Sequence, residues 1–483
     1  MPNSSTVNLG TKTGNTAGSL ENALTNYYFP RMWEEIKVSA PGFEFFKDLS
    51  SKVEWGPGYT GTFPIRTKSK RGMLGGTTGR LPVGGTPEYS MATVNYTVFR
   101  QLISFLWDAK LASGHERYIK NLLDSLVDDV KLEYLRRFNT YLYTGANQHT
   151  ISTNIIQAGC VATLQATFSS GNTVKVKAPY AGGNMGENYR PYGAHYLQPG
   201  DTICITNETG GLTTTSSQTA QFFSIASISR SYGSGYATLT LNETFDTDVG
   251  SFDPNAPVYL ASALPSSTTH AGGWATAYEQ TDAAAGLLGL ANVAGDATYL
   301  GKTRGGMWST TGLVGDVPGT VQPLSFARMD EVILKMNEQL YTKPDLAIMQ
   351  SGMWHEYVDL TEGGGGGFGN HAFRNASEVP GGHSPSTKKS YFTAHATTGQ
   401  GDLKILVDPY APHNTVTFVA TDHIGYATVQ AAAEAADDGS FLRMSSSTHD
   451  EWFGFMRWAG QFLSESPAAV GILADVTQDV VAI

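Results

Sequence analysis

The strongest periodicity in the chain lies between His115 and Leu142. Ile119, Leu122, Leu123, Leu126, Val130, Tyr134 and Phe138 recur there at helical spacing. They predict one long helix over 115–142, spanning roughly 40 Å at about 1.5 Å per residue. Gly114 precedes it, and Gly145 follows as a residue suited to a left-handed stop. The opposite face carries Lys120, Asp124, Asp128, Lys131 and Arg136 and should meet solvent or a neighbour. A second helical stripe runs through Phe326, Met329, Ile333, Met336 and Leu340, with Ser325 as its cap and Pro344 as its stop. Leu346-Ala347-Ile348-Met349 then reads as a buried strand, followed by a short helix with Trp354, Tyr357 and Val358. Residues 362–386 read as a glycine-rich loop. Strands are expected at Leu403–Val407 and Thr415–Ala420, and the C-terminal region suits an aromatic strand and a final buried strand.

Elsewhere the period is two. Residues 150–265 have no helical period; Thr173–Lys177, Asp201–Ile205 and Tyr236–Leu241 alternate like strands, with Gln198-Pro199-Gly200-Asp201 as a turn. They predict a self-contained β-barrel or sandwich inserted into a larger fold. Thr62–Thr67 and Ala92–Phe99 read as the two strands of a long hairpin, with Val94, Tyr96 and Val98 on one face. Between them, Gly and Pro abound and apolar residues are few. Arg66, Lys68, Lys70, Arg71 and Arg80 make the segment basic. A solvated loop is the plainer reading. A contact arm that meets acidic groups on another subunit is favoured, because a long charged glycine arm needs an external partner to become ordered. Residues 1–25 read as an extended polar arm, and Tyr27–Leu49 as short helices broken at Pro30 and Pro41.

Composition narrows the function classes. Of the 483 residues 16% are charged, below the roughly 25% of an ordinary soluble protein. With 54 Gly, 23 Tyr and 22 Phe, much of the surface should be neutral and covered by partners. The net charge of -11 argues against a dedicated nucleic-acid binder. Two cysteines, Cys160 and Cys204, make no disulfide scaffold, and free thiols are favoured over a bridge between them.

Candidate chemistry falls away on spacing. Gly295–Thr303, GDATYLGKT, resembles a phosphate loop but places five residues where four are needed, so its backbone cradle would be out of register. The run Gly363–Gly367 sits between no strand and helix of a dinucleotide site. His355-Glu356 lacks a second zinc-binding histidine, and no serine lies in a nucleophile elbow. No catalytic, cofactor-binding or metal residues are assigned.

The order of these parts resembles the major capsid proteins of tailed bacteriophages, with the Hong Kong 97-like fold. The resemblance implies an α+β fold: an N-terminal arm (1–53), an extended loop (54–100), a spine helix and the start of a peripheral domain (101–149), an inserted β-rich domain (150–265), the rest of the peripheral domain (266–400), and an axial domain with C-terminal strands (401–483). It implies a structural subunit, not an enzyme, that forms hexamers and pentamers of an icosahedral shell around double-stranded DNA. No cofactor is implied. Expected partners are copies of itself, a separate scaffolding protein, a portal and a decoration protein, in a virion assembled in the bacterial cytoplasm. Lys68 and Lys70 lie in the loop where some members carry a cross-linking lysine, with no partner identified here. Two other readings stand beside it. One is an encapsulin-like nanocompartment shell. The other is a carbohydrate-binding β-protein centred on 150–265, with Tyr180, Tyr189, Tyr192 and Tyr196 as stacking groups and loop packing as their plainer role.

Overall fold

The computed structural model describes residues 45–56, 60–68, 88–95, 97–106, 129, 132–133, 135–140, 142–143, 161–177, 194–206, 219–230, 236–245, 251–254, 256–261, 269–271, 286–287, 298–299, 302–303, 323–340, 344–363, 391–395, 402–412, 415–430, 442–445, 450–473 and 476. The chain divides into two compact units, one of residues 1–44, 96–139 and 428–461, the other of 45–95, 140–427 and 462–483.

In chain order the elements are β1 (Lys47–Asp48), β2 (Glu54–Trp55), β3 (Thr60–Lys68), β4 (Glu88–Asn95), β5 (Thr97–Leu106), β6 (Ala162–Leu164), β7 (Thr173–Lys177), β8 (Thr202–Thr206), β9 (Thr219–Arg230), β10 (Ala237–Leu241), β11 (Pro257–Ala261), β12 (Thr269–Ala271), β13 (Thr298–Tyr299) and β14 (Lys302–Thr303). Then follow α1 (Phe326–Leu340), β15 (Leu346–Met349), α2 (Ser351–Gly363), β16 (Tyr391–His395), β17 (Asp402–Val407), β18 (Val416–Val419), β19 (Ile424–Gln430), β20 (Leu442–Ser445), β21 (Asp450–Ser464) and β22 (Val470–Leu473).

In the first unit, β5 runs antiparallel to β21 from Thr97↔Gly460 to Leu106↔Glu451, and β20 flanks the start of β21. Of the predicted helix 115–142, the described part begins at Asp129 and is helical. Phe138 is buried as its stripe predicts, and Leu135 is buried with it. Arg136 departs from the pattern. Placed on the outward face by its charge, it is only 6% exposed. Glu133 is what makes that burial tolerable: Arg136 Nε and Nη2 donate to it at 2.9 and 2.7 Å, and Arg137 Nε donates at 2.8 Å. Burial pushes the Glu133 carboxyl up, but the two guanidiniums outweigh it and hold the group below its usual range. Leu132, by contrast, is 63% exposed.

The stretch Ala92–Phe99 is not one strand. β4 ends at Asn95 and pairs with β3, whereas β5 begins at Thr97 and pairs with β21. Alternation continues through both, so the period cannot register a change of partner. Lys47–Asp48 is likewise a strand where a helix was expected; β1 pairs in parallel with Gly425 and Tyr426 of β19.

In the second unit α1 and α2 cover a five-stranded sheet of order β16-β17-β15-β18-β22. β15 is buried at every residue, parallel to β17 and antiparallel to β18. Met329, Val332, Ile333 and Met336 of α1 form one core with Ala347, Met349, Ile405, Phe418 and Leu473. Ser325 caps this helix, its Oγ accepting from the Arg328 amide at 3.4 Å.

Strands β6 to β12 form a second sheet. Its order is β10-β7-β6-β11-β8-β9-β12, and β10 also pairs with β9. The ring β10-β7-β6-β11-β8-β9 therefore closes on itself, which makes it a barrel and not a sandwich. Alternation decides the inside: Ala237, Leu239 and Leu241 are buried, while Thr238 and Thr240 are half-buried. Phe168, Phe223, Phe245 and Phe252 meet edge-to-face at 4.8–5.8 Å between centroids. The expected turn is present. Asp201 N donates to Gln198 O at 3.1 Å, and Gly200 takes φ 92°, which an L side chain would resist. Of GDATYLGKT the described residues are strand residues, Thr298 pairing with Thr303 and Tyr299 with Lys302, and the rest lies outside the described residues.

Candidate intersubunit surface

β3 and β4 pair antiparallel from Thr60↔Asn95 to Lys68↔Glu88, with an irregularity between Arg66 and Lys68. The period of two gives the hairpin two unlike faces. Gly61, Phe63 and Ile65 of β3 and Ala92 and Val94 of β4 are buried. Thr60, Thr62 and Pro64, with Tyr89, Met91 and Thr93, are exposed. The register puts Pro64 opposite Met91 and Arg66 opposite Tyr89. Tyr89 is 65% exposed and Met91 51%, so large apolar groups lie side by side in solvent on a narrow hairpin.

The strands do have a core, which lies on their own subunit through Phe63, Ile65, Ala92 and Val94. Of the basic residues, Arg66 and Lys68 belong to β3, while Lys70, Arg71 and Arg80 lie outside the described residues. Tyr89 and Met91 were missed by sequence reasoning. The signal was there: they alternate with Ser90 and Ala92, so one face of the strand carries the bulky groups.

The hairpin is seated by β2, whose Glu54 and Trp55 pair with Thr62 and Gly61. A Cβ on Gly61 would come within 2.6 Å of the Trp55 ring, so only glycine lets the indole lie across the strand. Just upstream, Phe46, Leu49 and Val53 are buried, and Phe46 meets Phe462 edge-to-face at 6.4 Å. Lys47 pairs with Asp422 and Lys52 with Glu465. His423 lies 3.8 Å from the same Glu465 carboxylate. The hydrogen bond from His423, with Lys52 beside it, holds Glu465 down at about 2 against the opposing effect of burial. The Lys47–Asp422 pair is exposed and the pairs on Glu465 partly so, and they hold position more than they stabilise; the three buried side chains fix the segment that leads into the hairpin.

No protein-family model matches the chain, and no curated protein matches it. Among solved structures it is similar to a chain of the Cyanophage A-1(L) capsid asymmetric unit, at 12% identity and a TM-score of 0.41, covering 91% of this chain and 94% of that one. It is also similar to a chain of the satellite phage P4 procapsid that includes the size determination (Sid) protein, at 8% identity and a TM-score of 0.35, covering 93% and 99%. A Mycobacterium phage Adephagia chain matches at 8% identity and a TM-score of 0.38, over 90% and 89%. Two of these three are phage capsid structures. At TM-scores below 0.5 the likenesses by themselves fix neither a fold nor a function.

The other candidate chemistry finds packing roles. Tyr196 is buried, and its hydroxyl donates to Tyr410 O at 2.9 Å, so it offers no stacking face to a sugar; Tyr180, Tyr189 and Tyr192 lie outside the described residues. Tyr143 donates to buried Asp408 at 2.6 Å, and burial, reinforced by that carboxyl, pushes the phenol well up. His195, its Nε2 buried, is brought down to about 4 by desolvation, against the favourable backbone of Tyr410 and Pro409. Cys204 is free and buried, its thiol pushed up by burial, and Cys160 lies outside the described residues. Among the described residues, no group of three or more His, Cys, Asp or Glu is placed to hold a metal ion, and no helix is long and apolar enough to cross a membrane.

Proposed function

We propose that this chain is a major capsid protein, a non-catalytic subunit that assembles into hexamers and pentamers of an icosahedral shell around double-stranded DNA. The observation that carries the reading is the two-faced hairpin. One face is packed on its own subunit, and the other presents Pro64, Tyr89 and Met91 beside the backbone positions of Arg66 and Lys68. A monomer gains nothing from holding such a face in water, whereas a shell subunit covers it with a neighbour. The order of arm root, hairpin, helix, helix-covered sheet and long C-terminal strand supports the same reading.

The physics of a shell fits these parts. Each subunit needs several contacts, together in the obligate range of about 2,000–5,000 Å². Each single contact can stay modest, because closure multiplies them. The acidic net charge of -11 suits a wall that encloses DNA without gripping its phosphates. A separate scaffolding protein, a portal and a decoration protein are the further partners of this reading, and the virion, assembled in the host cytoplasm, is its place. The inserted domain at 150–265 and the basic contacts of Arg66, Lys68, Lys70, Arg71 and Arg80 belong to the same proposal.

Size-exclusion chromatography and electron microscopy of the full chain test it. Megadalton closed particles are expected, and deletion of residues 66–84 should leave folded subunits that form none. Normal particles from the deletion, or a parent chain that stays monomeric at every concentration, would overturn the reading.

A further inference from the structure

β9 is longer than the strand beside it. On one side β8 pairs with it from Ala220↔Thr206 to Ser224↔Thr202. The last bonds on that side are Ile225 N to Asp201 O at 2.9 Å and Gly200 N to Ile225 O at 2.7 Å. The Gln198–Asp201 turn lies there. On the other side β10 accompanies β9 out to Arg230↔Ala237. Between Ala226 and Arg230, therefore, β9 has a strand on one side only among the described residues. Ala226, Ser227, Ser229 and Arg230 are exposed, and Ile228 is half-buried. The edge carries none of the usual protection, having no proline and no lysine in its middle.

We propose that this edge, unpaired among the described residues, pairs antiparallel with the same edge of a second copy of the chain, about a two-fold axis at Ile228. The sequence Ala226-Ser227-Ile228-Ser229-Arg230 suits that register. Ile228 meets Ile228, Ser227 meets Ser229, and Arg230 meets Ala226. Apolar centres touch, hydroxyls face hydroxyls, and no like charges are opposed. A parallel pairing of the same edges would set Arg230 against Arg230. An isologous contact needs a self-complementary patch, and this edge is one. The inference rests on the shell reading for its supply of neighbours, since a shell subunit meets copies of itself on every side. It assigns the barrel a role in joining subunits through main-chain hydrogen bonds, separate from the contact made by the β3–β4 hairpin.

The test uses the full chain carrying Ile228→Cys, with Lys175→Cys, exposed on β7, as the control. The parent, with its own Cys160 and Cys204, sets the background. After mild oxidation, non-reducing electrophoresis should show covalent dimers from Ile228→Cys at least tenfold above those from Lys175→Cys, in particles and in the concentrated dispersed chain. Ile228→Lys and Ile228→Glu probe the same axis. Each alone should lose the contact, and mixing them should restore it. Shells in which Ile228→Cys cross-links no more than the control would overturn the edge pairing and leave the shell reading intact. A parent that forms no shells would sink the shell reading, while the cross-link in solution would still decide the edge. If the mixture does not restore what each charge removes, the edge meets a different protein and the proposal fails.

Discussion

The barrel and the β3–β4 hairpin are built from the same alternating pattern and end in opposite states. Around the barrel each alternating strand turns its apolar side to a shared interior, where Phe168, Phe223, Phe245 and Phe252 fill the space. The hairpin has apolar residues on both faces and only one face to bury. Closure is the difference: a ring of strands has one inside, while a hairpin laid on a subunit always has an outside. The barrel's interior thus explains its own fold, whereas on the proposed reading the hairpin's outward face is left for a neighbour to cover. For the barrel the exception is the short edge of β9 that is unpaired among the described residues.

Perturbations should separate the two regions by size of effect. The largest belongs to the barrel. Phe223→Ala should cost the folded subunit about 3–5 kcal/mol by opening a cavity among the interlocked rings, read as a fall in the denaturation midpoint. A smaller loss is expected at the Tyr143–Asp408 contact, which ties residues 142–143 to the loop after β17. Tyr143→Phe removes the buried donor and should cost about 1–3 kcal/mol by the same measurement.

Acid should act on the segment that leads into the hairpin. The Glu465 carboxyl, at about 2 in the fold against an ordinary value near 4.5, binds its proton less readily when folded. Its contribution is therefore complete above about pH 4.5 and lost as the pH falls toward about 2. Because Lys52 and Glu465 are partly exposed, the effect should be about 1 kcal/mol or less. The midpoints of the parent and Glu465→Gln should differ at pH 7 and draw together as the pH falls toward about 2. The smallest effect on the subunit is expected on the outward face of the hairpin. Tyr89→Asp with Met91→Asp should move the midpoint of the dispersed chain by no more than about 1 kcal/mol, since both side chains are largely exposed.

Much of this was legible in the sequence, for physical reasons that differ by element. β7 and α1 follow from period and cap, because each turns one face inward, and β15 follows from an unbroken apolar run, because it is buried on both faces. Barrel closure was not legible: alternation is the same in a barrel and a sandwich, and only the β9–β10 pairing distinguishes them. The break between Asn95 and Thr97 was hidden because both flanking strands alternate in phase. Arg136 was misplaced because a charge read alone points outward, whereas Glu133 three residues earlier lets it turn in. The candidate surface was half legible. The basic positions drew notice, but Tyr89 and Met91 did not, because an apolar residue in an alternating strand reads as inward until the other face is seen to bury Ala92 and Val94.

The central claim is that the outward face of the hairpin is completed by a neighbouring copy. Negative-stain electron microscopy of the full chain carrying Tyr89→Asp and Met91→Asp, beside the parent, tests it most directly. The account predicts closed shells from the parent and, from the variant, folded subunits of nearly unchanged midpoint that form none. Closed shells from the variant at the parent's frequency would contradict it.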